Sequence, residues 1–428
     1  MKRYLFIAAM AILAVSCQKT EIQNEVNTLI RFSQGVNKQT KAIAQTNAYL
    51  NSQPFAVYAY GWHSGVANTD RVMENVEITF KEGDDTATPA VPDKWNASTN
   101  DNRSTVYYWP NDPRTVINFY AYSPAVATVN QAETVAEHQT LHFSSEAGSG
   151  LAHDETDGLT LTNYTHTNMY VDFMVSTPVI GATYSNPDAD ANAVITTDGI
   201  VPVKFNHQMT QILFKVTTDK PYPNVTFTVE SIKLKNVRNI ADYEHATYTN
   251  DYEDTDTKFT HGVWKNQDIM DNSEPYVIFP ADSDNGAVFE VGRLTVDGDA
   301  TLEKEIALSY AADATATVSM FTTPVTMIPQ DMEEAAAAQL AGEDNLSEET
   351  NAQMFEIKYR IEGDGVAEET VIKHVPFFAK DATASTIVNW NNNQKITYTV
   401  TIGLKEITFK PSVQAWEPMT GNTYEFAQ

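Results

Sequence analysis

Apolar and polar positions alternate along most of this chain with a period of two, the repeat of a half-buried β-strand. Val171, Phe173 and Val175 alternate with Tyr170, Asp172 and Met174. Ile212, Phe214 and Val216 are interleaved with Leu213 and Lys215, and Val225, Phe227 and Val229 with threonines and Glu230. The longest run is Ile396, Tyr398, Val400, Ile402 and Leu404, with Thr397, Thr399 and Thr401 facing the other way. Such runs predict antiparallel strands with one buried face. The expected core positions are Phe55, Val57, Phe119, Val171, Phe173, Phe214, Phe227, Tyr398, Val400 and Trp416. Turn chemistry separates the runs at Gly83-Asp84-Asp85, Asn111-Asp112-Pro113, Asn186-Pro187-Asp188 and Asp297-Gly298-Asp299. Two short helical excursions are predicted. One is Asp331 to Leu340, beginning after Pro329 and stopped by Gly342; a weaker one is Ala42 to Leu50. The chain reads as mostly β, and two β-sandwich domains are the natural packing for so many one-sided strands. The loop-like stretch from Ser185 to Gly199 divides them, giving an N-terminal domain over 42–195 and a C-terminal one over 196–428.

The first residues follow a different pattern. Met1-Lys2-Arg3 is basic, Tyr4 to Val15 is apolar, and Leu13-Ala14-Val15-Ser16 leads into Cys17. Residues 1–16 read as a secretory signal, too short to span a bilayer. Cys17 is the only cysteine, so no disulfide staples the exported protein. A thiol directly after a small-residue cleavage site is what lipoprotein processing needs, and several acyl chains hold a protein on a membrane far better than one. Residues 17–41 then form a polar tether and an isolated strand-like piece, Leu29 to Val36. A polar stretch ending at Lys41-Ala42 follows.

Composition sharpens this picture. The 428 residues are 42% hydrophobic, enough for a sizeable core. Without Lys2 and Arg3, 26 basic residues face 56 acidic ones, a net charge of −30. So acidic a surface disfavours nucleic acid and anionic lipid as partners. Enzyme signatures are missing: there is no G-x-S-x-G and no H-E-x-x-H. His138 and His142 lie four apart in a strand-like context, too far separated to share a metal. The acidic run Asp251, Glu253, Asp254 and Asp256 lacks the glycine and terminal glutamate of a calcium loop. No metal or cofactor is therefore expected. Trp62, Trp95 and Trp109 could form a carbohydrate platform, although aromatics in β-rich proteins are more often core.

Several segments together resemble the fimbrillin family of Bacteroidales, the Mfa-like and FimA-like pilus subunits. They are Phe55-Ala56-Val57-Tyr58-Ala59-Tyr60, Tyr108-Trp109-Pro110, Ile117-Asn118-Phe119-Tyr120-Ala121-Tyr122 and Val171-Asp172-Phe173-Met174. Then come Val203 to Met209 with Ile212 to Val216, Trp390 with Asn391 to Asn393, Ile396 to Leu404, and Val413-Gln414-Ala415-Trp416. The resemblance implies two transthyretin-like β-sandwich domains and export as a lipidated precursor to the outer membrane surface. It implies a proteolytic cut after a basic residue, here Lys41-Ala42, that removes the lipid and the first strand. The emptied groove then takes a strand from another fimbrial subunit in a homo- or hetero-polymer. The candidate donor lies at the C-terminal end, with Ile407, Phe409, Val413, Trp416, Tyr424 and Phe426. Arginine is usual in the family where Lys41 stands. An alternative is therefore an unprocessed surface lipoprotein acting as anchor, tip adhesin or glycan-binding module for host or bacterial surface ligands. A β-rich surface hydrolase is a third reading.

Overall fold

Alternation resolves into strands almost throughout, while the choice of partners is less local. The computed structural model describes residues 29–36, 54–63, 70–81, 94–97, 107–110, 115–125, 141–154, 158–167, 169, 171–184, 195–196, 199–222, 224–245, 262–268, 276–279, 294–296, 299–301, 306–308, 319–321, 324–332, 353–363, 366–377, 389–404 and 407–415. The strands of the first part are β1 (Arg31–Val36), β2 (Phe55–His63), β3 (Asp70–Lys81), β4 (Lys94–Ala97), β5 (Thr115–Ser123), β6 (Gly150–Asp154), β7 (Gly158–Thr165), β8 (Met174–Thr177), β9 (Val179–Tyr184), β10 (Ile195–Thr196) and β11 (Ile200–His207). Then follow β12 (Thr210–Thr218), β13 (Val225–Lys235), β14 (Ile240–His245), β15 (Val263–Asp268), β16 (Tyr276–Phe279), β17 (Leu294–Val296) and β18 (Asp299–Thr301). The last are β19 (Ile306–Leu308), β20 (Ser319–Phe321), β21 (Val325–Met327), β22 (Met354–Gly363), β23 (Val366–Pro376), β24 (Gln394–Ile402) and β25 (Ile407–Ala415).

The first sheet runs β10-β9-β5-β2-β3-β4-β1-β11-β8, and β8 also pairs with β5. Seven strands from β5 round to β8 therefore close into a ring. Its interior holds Phe55, Val57, Ile78, Ile117, Phe119, Val201, Val203 and Phe205. Its outer wall is buried too where β2, β5 and β8 form it. Ala56, Tyr58, Tyr60, Tyr120, Tyr122, Val171, Phe173 and Val175 pack beneath a four-stranded sheet of order β15-β14-β7-β6. This corrects the expectation of one-sided strands. In β2, β5 and β8 both faces are covered, and residues 171–176 are all buried, Asp172 and Met174 included. The physical reason is a second layer laid on the outer wall.

The remaining strands make a two-sheet sandwich. One sheet follows β18-β17-β20-β12-β24-β25 and the other β16-β13-β22-β23. Phe214, Phe227, Phe355, Trp390, Tyr398 and Val400 fill the space between them. Nine of the ten expected core positions are buried, from Phe55 to Val400, and Trp416 lies outside the described residues. Pairing is not uniformly antiparallel as the patterning suggested: β1 with β11, β9 with β10, and β12 with β24 are parallel. Of the predicted helix Asp331–Leu340 the structure describes Asp331 and Met332, and Met332 is helical; the remainder and Ala42–Leu50 lie outside the described residues.

The stretch Ser185–Gly199 holds β10 and is followed by β11, which still belongs to the first sheet. The chain moves to the sandwich at Gln208 and Met209, and later returns, because β14 pairs with β7. Buried amides hold this crossing. The Gln208 side chain accepts from the Gly262 N–H at 3.0 Å, and its backbone carbonyl accepts from Trp264 Nε1 at 2.8 Å. Gln330 exchanges bonds of 2.9 Å with both backbone groups of Arg238 and accepts from Gln353 at 2.6 Å. Buried polar groups satisfied in this way fix one arrangement of the chain.

Close backbone approach marks the β22–β23 hairpin. Gly363 has φ +157°, and a Cβ there would stand 2.1 Å from the Asn224 carbonyl oxygen and 2.8 Å from Val225 Cα. Both obstacles are backbone. Gly363→Ala is expected to cost about 1–3 kcal/mol through forced displacement of β13. A urea unfolding midpoint equal to that of the parent would refute this.

Candidate strand-exchange site

β1 is short, and three features make it a strand. Ile30 and Phe32 are apolar at a spacing of two, both are buried, and Arg31 and Ser33 between and after them are half-buried. The Ile30 N–H donates to the Tyr107 carbonyl at 2.9 Å, and Leu29 bridges Tyr108. The strand itself starts at Arg31 rather than at Leu29, which is exposed.

The two neighbours of β1 are unlike. It runs parallel to β11 through six pairs, Arg31 beside Ile200 to Val36 beside Phe205. On its other edge it meets β4 through one pair, Phe32 with Trp95. Phe32 enters the ring interior. Its ring stands edge-on to Phe55 and to Phe119, each at 5.9 Å between centroids. Edge-to-face contacts of this kind add to the area a buried ring removes from water. Burying Ile30 and Phe32 contributes about 1.5–3 kcal/mol each.

β1 is thus the strand that closes the ring. Take it away and, among the described residues, β4 keeps only β3 and β11 keeps only β8. Two strand edges and the apolar interior would then face water, a combination that recruits another strand. The covalent path from β1 to β2 runs through residues 37–54, where Lys41 and Ala42 lie. A cut there would leave β1 held to the fold by noncovalent contacts alone.

The predicted donor residues are divided. Ile407 opens β25 and packs at the margin of the sandwich core. Phe409 lies opposite Val400, and Val413 opposite Ile396, with Val413 45% exposed. β25 pairs with β24 along its whole length, so this segment belongs to its own sheet. Trp416, Tyr424 and Phe426, like Cys17, Lys41 and Ala42, lie outside the described residues. Among the tryptophans, Trp109 is buried against Phe119 and donates to the Gly199 carbonyl at 3.1 Å, so it offers no face to a sugar. His142 is exposed.

Two polar clusters escaped the sequence reading. Asp172 and His207 form a buried pair at 2.8 Å where β11 ends. His153 lies among Tyr58, Tyr60 and Tyr120, with ring centroids at 4.8, 5.5 and 4.6 Å, and bonds the Tyr60 hydroxyl at 2.9 Å. Burial, and then His245, hold the His153 pKa down at about 4. Another buried histidine, His166, is held at about 4 by burial, against the Thr326 carbonyl that it bonds at 2.7 Å. Neither cluster has a local signature, since each gathers residues distant in sequence.

A closed seven-stranded β-ring beside a two-sheet β-sandwich makes this an all-β protein. The sequence pattern of the fimbrillin-like family matches residues 40–416, and the chain belongs to that family. No curated protein matches it. Solved structures similar to it include a protein described as a cell adhesion protein from Bacteroides uniformis. That one is 12% identical, at a TM-score of 0.35, over 91% of this chain and 99% of the other. The tip fimbrial protein Mfa3 from Porphyromonas gingivalis is 13% identical at 0.28, over 90% and 99%. The fimbrial anchor protein Mfa2 from the same organism is 9% identical at 0.23, over 90% and 98%.

Proposed function

We propose that this protein is a cell-surface fimbrial subunit that assembles by strand complementation. Cys17 carries acyl chains that hold the precursor in the outer membrane. A cut between Lys41 and Ala42 releases it together with β1, and a strand from another subunit fills the slot. The observation that carries this reading is the position of β1. It closes a ring, buries Ile30 and Phe32, and hangs on one covalent tether that contains the cut. Fimbrillin-like family membership supports it, and the family match begins at Thr40, beside that cut.

Two measurements test it. Limited trypsin treatment of the folded mature chain should trim it between Val36 and Leu50, after which light scattering should report high-mass species. Trimmed protein that stays monomeric at high concentration would defeat polymerisation. Cys17→Ala should abolish palmitate labelling and move the protein out of the membrane fraction; undiminished labelling would defeat the lipid assignment.

The alternative is an unprocessed member that remains on the membrane as anchor, adhesin or glycan-binding module. Lys41 favours it, standing where the family usually has arginine, and so does the engagement of β25 in its own sheet. The N-terminus of protein sheared from cells decides: Ala42 for the polymer, acylated Cys17 for the anchor.

A further inference from the structure

β23 is the outermost strand of its sheet and pairs only with β22 among the described residues. Its rim is open to water: Glu368, Glu369, Thr370, Ile372 and Lys373 are exposed, Ile372 by 47%. Val371 between them is half-buried against the sandwich core. The ladder fixes which way each residue faces. Ile361 stands opposite Glu369, Tyr359 opposite Val371 and Ile357 opposite Lys373, and all three of these β22 residues are core. Glu369, Val371 and Lys373 therefore share the core side, with the two charged residues overhanging its margin, while Glu368, Thr370, Ile372 and His374 share the outer side. Charges on an edge strand ordinarily keep other strands away. In β23 they are sorted, with Glu368 and Glu369 before Val371 and Lys373 and His374 after it. An antiparallel copy of the same strand presents that order reversed. With 56 acidic residues against 28 basic ones, two copies repel overall, so a stable contact needs a place where base meets acid.

We propose that β23 is a self-recognition edge, on which a second copy of this chain pairs antiparallel about a two-fold axis at Val371. In that register Val371 faces its own copy. Thr370 faces Ile372, Glu369 faces Lys373 and Glu368 faces His374, each pair occurring twice. Opposite charges directly across a ladder stabilise it, and like charges weaken it. A slip of one residue is barred, because it sets side chains of unlike faces opposite one another. A slip of two in one direction brings Ile372 opposite Ile372 and Val371 opposite Lys373. In the other it brings Thr370 opposite Thr370 and Val371 opposite Glu369. Neither slipped register places an acid opposite a base, so charge selects the first one over both. The interface is isologous and closes at two copies. It joins subunits side by side, and it needs neither the removal of β1 nor strand exchange.

Charge reversal and single cysteines test the pairing, in protein carrying Cys17→Ala and keeping β1 in place. Sedimentation should show a monomer–dimer equilibrium. Glu369→Lys alone, or Lys373→Glu alone, sets like charges opposite one another twice, and each should raise the dimer Kd by about tenfold or more. An equal mixture of these two variants should dimerise like the parent, because two lysines on one strand then face two glutamates on the other. A folding defect could not be rescued by mixing. Val371→Cys should oxidise to a linked dimer, since paired Cα atoms lie about 4.5–5.5 Å apart. Thr370→Cys and Ile372→Cys should not, because their copies stand two residues out of step, at about 8 Å. Linking through either of these in place of Val371→Cys would overturn the register. A dimer indifferent to both charge reversals, or a protein that sediments as a monomer throughout, would overturn the proposal.

Discussion

Acidification from pH 7 to pH 5 is expected to cost this protein about 2 kcal/mol for each of two buried histidines, His153 and His166. Both have pKa values held at about 4 in the folded state, and burial is the largest cause for each. For His153 the next contribution is His245, which also lowers it, while Asp154 raises it and Arg71 lowers it. In the unfolded chain each imidazole returns to about 6.5. Above that pH both states are neutral and nothing is lost. Between 6.5 and 4 the unfolded chain binds protons that the folded one refuses, so stability falls as pH falls. Below about 4 the loss is complete, about 3 kcal/mol per histidine. The pair together reaches a sizeable fraction of the 5–15 kcal/mol that holds a typical domain.

The acidic surface works in the opposite direction, since protonating carboxylates relieves self-repulsion. Carboxylates in model peptides have pKa values near 4, outside the window from 6.5 to 5 in which the two histidines act. Urea unfolding measured across that window should show the falling slope. His153→Phe should reduce that slope by about half, whatever its effect at pH 7, because the ring stack survives without a titrating nitrogen. A slope unchanged by His153→Phe, or stability constant from pH 7 to 5, would sink the prediction.

Phe214→Ala is expected to destabilise by about 3–5 kcal/mol. Phe214 is fully buried on β12 and joins both sheets of the sandwich. Its ring lies 5.1 Å from Phe355 on β22 and stacks on Tyr398 of β24 at 5.6 Å. Truncation removes the ring and leaves a cavity whose walls are strands locked by their ladders, so little collapse can compensate. The urea midpoint should drop far below that of the parent with the denaturant slope unchanged. A cost below about 1 kcal/mol would mean that Phe214 does not bridge the sheets.

Much of this architecture was legible before any coordinates. Side chains two residues apart share a face, so alternation around Phe214, Phe227 and Tyr398 marks both the strands and their inward residues. The isolated apolar piece before Lys41 was also visible, because polar stretches flank it on both sides. Family resemblance added order to segments that are weak alone.

Pairing and layering were decided elsewhere. No local pattern told β1 to run parallel to β11, or β12 to β24, since each ladder joins segments distant in the chain. Tyr58, Tyr120 and Asp172 gave no sign that the outer wall of the ring would be covered, because that depends on β7 and β14 meeting across the two halves. The depressed histidines follow from the same cause: an imidazole loses its proton affinity only when distant residues exclude water from it. Alternation, which is local, was set by the sequence alone. The partner of each strand, the second buried face and the electrostatics of that face came from tertiary contacts, because they depend on which remote surfaces leave water together.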